Sequence, residues 1–149
     1  MESYPYPSQD YISQVVSEKH YIEAILLLHM ALESDLIDLI IEETYNRGKG
    51  AEIKDSSGNS YPVKENEWEK LDFLNAARTC LFMDIITDTL FVKLQSFNTA
   101  RNKLAHRALK EQFVSLPLEK KCKEGLDLAE KLNDIRLQLQ TSKGTGQKD

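Results

Sequence analysis

Ala24-Ile25-Leu26-Leu27-Leu28-His29-Met30-Ala31-Leu32 is the stretch on which the fold turns. As a helix it is apolar almost all the way round, and such a helix cannot hide itself at the edge of a monomer; it must be central or covered by a second copy. It is also far shorter than the roughly 20 apolar residues that a membrane span needs, so it reads as a core helix. Working outward, apolar residues recur at helical spacing from Ile12, Val15 and Val16 through Ile22, Ile25, Leu32, Leu36, Leu39 and Ile40. Ser8 is placed to cap this run. An unbroken helix from Gln9 to Asn46 would extend about 57 Å, too long for one small domain, which predicts a break near Glu18–Tyr21 and a main helix over Tyr21–Asn46. Arg47-Gly48-Lys49-Gly50 then supplies glycines for a left-handed stop.

Beyond that stop the pattern changes. Glu52-Ile53-Lys54 and Tyr61-Pro62-Val63 flank the turn formers Asp55-Ser56-Ser57-Gly58-Asn59-Ser60, giving a long loop or a small hairpin. Helical spacing resumes with Trp68, Leu71, Leu74, Ala77 and Leu81. Thr87 or Asp88 caps a further helix that carries Leu90, Phe91, Leu94, Phe97, Ala100 or Arg101, Leu104 and Ala108 down one broad face and ends before Pro117. A last helix runs from Leu118 to about Leu139. Trp68, Phe73, Phe82, Phe91 and Phe97 fall at core spacing, and Cys80 and Cys122 read as packing residues. The expected fold is therefore all-α: an antiparallel bundle of four to five helices over residues 8–140, interrupted by one long loop or small hairpin between the first and second main helices. Residues 1–7 and 141–149, which include no aliphatic core pattern, are expected to be flexible.

Composition narrows the function. The 149 residues suit a single core, and the formal net charge of −5 opposes a general nucleic-acid coat, so any contact with phosphate must come from a local basic patch. Two cysteines without a C-x-x-C partner exclude a disulfide scaffold or zinc knuckle. The N-terminus lacks the basic and apolar regions of a signal peptide, so the expectation is a cytoplasmic protein with no membrane partner and no metal or cofactor.

The one basic cluster lies on the helix that follows Thr87: Arg101, Asn102, Lys103, His106 and Arg107, with Lys110 a turn later. At 100° per residue Asn102 and His106 nearly superimpose, while Arg101 sits about 140° from His106 and about 7.5 Å along the axis. Such a group suits phosphodiester cleavage. Histidine moves protons near neutral pH, and a planar guanidinium holds a phosphorane-like transition state. Arg101 and His106 are the candidate catalytic residues with Asn102 in support; Lys103, Arg107 and Lys110 would hold substrate. One histidine serves poorly as both base and acid, which points to two copies of the site across a symmetric dimer axis. His29 and Glu33, an i, i+4 pair, read as a hydrogen-bonded core pair, and Glu33 or Asp35 could orient Arg101 or His106, since a buried carboxylate needs a cation.

The string Phe97-Asn98-Thr99-Ala100-Arg101-Asn102-Lys103-Leu104-Ala105-His106 resembles the R-N-x-x-A-H form of the Arg-x4-6-His signature of the HEPN superfamily, and Phe73-Leu74-Asn75-Ala76-Ala77-Arg78 is similar to family members as well. The resemblance spans about Tyr21–Leu139, with its specific part six residues long. It implies a helical bundle that dimerises around the signature, often a metal-independent endoribonuclease in toxin, defence or RNA-processing settings. It also implies Arg101 and His106 as the catalytic pair and a cognate antitoxin or regulatory protein as a possible partner. Many toxin members carry a tyrosine two residues after the histidine; here that position is Ala108, which argues against antitoxin control through a tyrosine. The alternative is a non-catalytic HEPN-like adaptor or regulator that binds a partner protein or nucleotide through the same surface. A regulator of the mannitol-repressor kind would call for a basic recognition helix that the sequence lacks.

Overall fold

The computed structural model describes the backbone of residues 8–47, 52–54, 57, 60–62, 70–109 and 117–145, and the side chains of 8–47, 57, 70–106 and 117–141. Helix α1 (Gln9–Ser17) starts where Ser8 Oγ accepts the Tyr11 amide at 3.2 Å, and it buries Ile12 and Val15. It ends at the expected break. Lys19 takes a left-handed φ of 64°, and the Lys19 and His20 amides bond back to the carbonyls of Val16 and Val15. Helix α2 (Tyr21–Arg47) follows at once. Its last residue ties it down: Arg47 Nε pairs with Glu43 at 2.9 Å, and another guanidinium nitrogen donates to the Met83 carbonyl.

Between the first and second main helices lies a small antiparallel hairpin, β1 (Glu52–Lys54) with β2 (Ser60–Pro62), in which Glu52 faces Pro62 and Lys54 faces Ser60. Helix α3 (Phe73–Phe82) begins later than the apolar spacing suggested. Asp72 sets the start, because its carboxylate accepts the Asn75 amide at 2.8 Å and so satisfies a first-turn donor. Trp68, read as the first residue of that helix, lies outside the described residues. Helix α4 (Asp88–Leu109) is capped as expected, with Thr87 Oγ1 accepting the Leu90 amide at 3.2 Å. Helix α5 (Leu118–Thr145) continues past the expected end at Leu139, so over 141–145 the expectation of a flexible terminus gives way to helix. Gln138, Gln140 and Lys143 are sound helix formers, and a run without apolar residues loses burial but not helical propensity.

Among the described residues the bundle thus has five helices, and α2 is its axle, packing against each of the other four and most extensively against α5. Leu28, Leu32, Leu36 and Ile40 of α2 are fully buried, as are Phe97 and Leu94 of α4 and Leu132 of α5, with Phe73 of α3 nearly so. The central position foreseen for Ala24–Leu32 is what the chain adopts, although Met30 remains 53% exposed. Phe82 departs from expectation: it is exposed, because α3 ends there and Met83 and Ile86 fill the core beyond it. Cys80 and Cys122 are both buried, their thiols 3.5 Å from the carbonyls of Leu36 and Tyr21. Where α5 crosses α4 and α2, Gly125 leaves no room for a side chain: a Cβ would stand 2.7 Å from the Phe97 ring and 2.9 Å from Leu28. No helix among the described residues is long and apolar enough to cross a membrane.

Candidate functional site

A cleft of about 1060 Å³ opens between α2, the start of α3 and α4. Helical periodicity builds its walls. On α4, Asn98, Arg101 and Asn102 stand at i, i+3 and i+4; on α2, His29, Glu33 and Ile37 follow one another at i+4 intervals. Asp72 and Phe73 close the third side.

His29 is only 7% exposed. Its ring stacks on Phe73, with centroids 4.4 Å apart and planes 18° from parallel, and its Nε2 lies 2.8 Å from Asn98 Oδ1. An amide oxygen can only accept, so Nε2 carries the proton and the lone pair is left on Nδ1. Burial holds the imidazole below its ordinary pKa; the Asn98 hydrogen bond opposes that, and the Arg101 charge adds to it. The core pairing of His29 with Glu33 expected from the sequence is therefore replaced by a bond across helices to Asn98. Glu33 is pushed up, first by burial and then by the Asp72 carboxylate, against the pull of Arg101 and a hydrogen bond from the Phe73 amide.

Arg101 is half-buried, and one of its terminal nitrogens donates to Asn102 Oδ1 at 3.1 Å. Its Nε is buried and has no hydrogen-bond partner among the described residues. Leaving such a donor dry and unpaired costs about 1–3 kcal/mol. His106 is exposed and does not line the cleft; it projects one turn beyond Asn102 along the same helix face. Within one chain, then, Arg101 and Asn102 meet in the cleft and His106 stays outside it.

No protein-family model, curated protein or solved structure matches the chain.

The other sequence candidates scatter. Lys103 is exposed and lies in a separate groove with Val92, Ser96, Thr99 and Lys121, away from Arg101. The side chain of Arg107, and Lys110 altogether, lie outside the described residues. Glu33 joins the Arg101 cleft, but Asp35 does not: it points toward α1 and α5, among Ser8, Ile12, Ala129 and Asn133. The reason is angular, since two residues along a helix turn the side chain through about 200°. Burial pushes Asp35 up to about 6, the neighbouring Asp38 adds to this, and Arg136 offsets it. Four polar members of the cleft were missed in the sequence: Ser34, Asp38, Asp72 and Asn98. Asn98 could have been found by stepping back three and four residues from Arg101 and Asn102; Asp72 carried only its capping signal. Among the described residues no group of three His, Cys, Asp or Glu is arranged to hold a metal ion.

Proposed function

We propose that this chain is a HEPN-type, metal-independent endoribonuclease whose antiparallel bundle works as a homodimer, with Arg101 binding the scissile phosphate, His106 moving a proton and Asn102 fixing the Arg101 guanidinium. The observation that carries the reading is the half-buried Arg101 guanidinium, held by Asn102 in the wall of an open cleft. A planar guanidinium lining an open cleft suits the charge that develops on a phosphorane-like transition state. The exposed position of His106, one turn beyond the cleft, leaves it free to meet a second copy, and a two-fold axis there would bring two histidines and two arginines together. Such an enzyme fits a toxin or defence setting, with Ala108 making tyrosine-directed antitoxin control a poor fit.

The deciding experiment is cleavage of a generic RNA in EDTA by purified dimer. Wild type should cut, and His106→Ala should cut at least about 100-fold more slowly, the usual scale for losing an acid–base group. Equal inertness of the two proteins at micromolar concentration sinks the catalytic reading. One observation favours a second reading, a non-catalytic adaptor: Glu33, Asp38 and Asp72 line the same cleft as Arg101 and would repel a polyanion. A thermal shift with mononucleotide and no RNA cleavage is its signature.

A further inference from the structure

We propose that His29 is a second catalytic residue of the cleft, a general base held in place by Asn98 and Phe73. The proposal rests on the RNA-cleaving reading and supplies what that reading lacks, a proton acceptor inside the cleft where Arg101 waits for phosphate. Three geometric facts carry it. The imidazole lines the cleft and is otherwise buried. The Asn98 bond fixes the tautomer, so the lone pair sits on Nδ1 and not on Nε2. The stacked Phe73 ring fixes the plane. A buried imidazole needs a hydrogen-bond partner whatever its role, so it is the cleft-lining position beside Arg101 that singles His29 out. Asn98 acts through His29 and is a positioning residue.

The step balances without water or metal. His29 Nδ1 takes the proton of a ribose 2′-hydroxyl; the 2′-oxygen forms a bond to phosphorus as the P–O5′ bond breaks; the departing 5′-oxygen takes a proton from an imidazolium His106. The products are a 2′,3′-cyclic phosphate and a 5′-hydroxyl, and the net proton count is unchanged. The charged groups facing His29 are Glu33 and Asp38 of α2, Asp72 ahead of α3 and Arg101 of α4; among the described residues α1 and α5 add none to the cleft lining. Burial and Arg101 both favour the neutral ring, the form a base must have.

The test is the pH–rate profile of RNA cleavage by the purified dimer, with melting curves alongside. His29→Gln, whose amide can still reach Asn98, is expected to lose about 100-fold or more in kcat/KM and to lose the acidic limb of the profile. Added imidazole should restore part of the rate to His29→Ala. A substrate with a 5′-sulfur leaving group, which needs no acid, should rescue His106→Ala and leave His29→Gln slow. A His29→Gln protein that melts like wild type and cleaves within about three-fold of it, acidic limb intact, overturns the proposal while the role of His106 stands. If His29→Gln fails to fold, Asn98→Ala decides: losing a bond that favours the imidazolium should move the acidic limb to lower pH, and an unmoved limb rejects His29 as the base. If His106→Ala cuts as fast as wild type, the fault lies with the underlying reading and not with His29.

Discussion

Gly125 offers a direct test of how tightly the bundle is drawn together. A Cβ at that position would lie 2.7 Å from Phe97 Cε2, 2.9 Å from Leu28 Cδ1 and 3.0 Å from Phe97 Cζ, whereas ordinary contacts begin at 3.4 Å. The Phe97 ring would have to withdraw by 3.4 − 2.7 = 0.7 Å. It has nowhere easy to go, because Phe97 and Leu28 are both buried within the core. Overpacking of this kind costs about 1–3 kcal/mol. Alanine in place of a helical glycine returns about 1 kcal/mol through propensity. The balance for Gly125→Ala is a loss of about 1 kcal/mol, or roughly 2–4 °C in Tm for a chain of this size. Urea melts followed by circular dichroism measure it, and a double-mutant cycle with Phe97→Leu isolates the cause. Leucine does not reach as far as a phenyl edge, so in that background only the 2.9 Å approach to Leu28 Cδ1 remains and Gly125→Ala should cost less than in wild type. A Gly125→Ala protein more stable than wild type, or an equal cost in both backgrounds, refutes the argument that the phenyl edge demands glycine there.

Two other outcomes follow from buried titratable groups. Asp35 is raised to about 6, so the folded state holds its proton more tightly than the unfolded chain, and stability falls as pH rises from the ordinary aspartate range of 3.8 through about 6. Asp35→Asn removes this penalty and should stabilise the protein by about 1 kcal/mol near pH 7, after discounting for solvent screening, with a smaller gain near pH 4; a larger gain at the acidic end contradicts the assignment. Burial pushes the Cys80 thiol well above its ordinary range and the Cys122 thiol up to about 11. Since the thiolate is the reactive form, neither should react with a disulfide reagent on the minute scale near pH 8 until guanidinium unfolds the chain, and rapid labelling of the native protein goes against their burial.

The helical skeleton was legible because it rests on local rules. Ser8 and Thr87 announce helix starts, and the turn before Tyr21 follows from the length a small core can hold. Ala24–Leu32 declared through composition alone that it must be covered, by the bundle or by a second copy, and the structure shows it central. What could not be read were facts that depend on which helix faces which. His29 has Glu33 as its neighbour in sequence, but its partner is Asn98, on another helix. Asp35 and Glu33 look alike in the sequence, yet they face different elements. The core spacing of Phe82 held only while the helix lasted. The candidate signature Arg101–His106 was visible as a string, while the division that puts Arg101 in the cleft and His106 outside it needed three dimensions.

The dominance of α2 over the packing has a consequence for synthesis of the chain. Its chief partner, α5, is made after the other four helices, so Leu28, Leu32 and Leu36 must wait for a surface that is synthesised well after them. Until α5 arrives, the most apolar segment of the protein is covered only by α1, α3 and α4, and a stalled or shortened product would display it to any chaperone or protease nearby. Closure of the core therefore waits on the docking of one helix, and that docking is the step at which quality control can tell a finished bundle from an unfinished one.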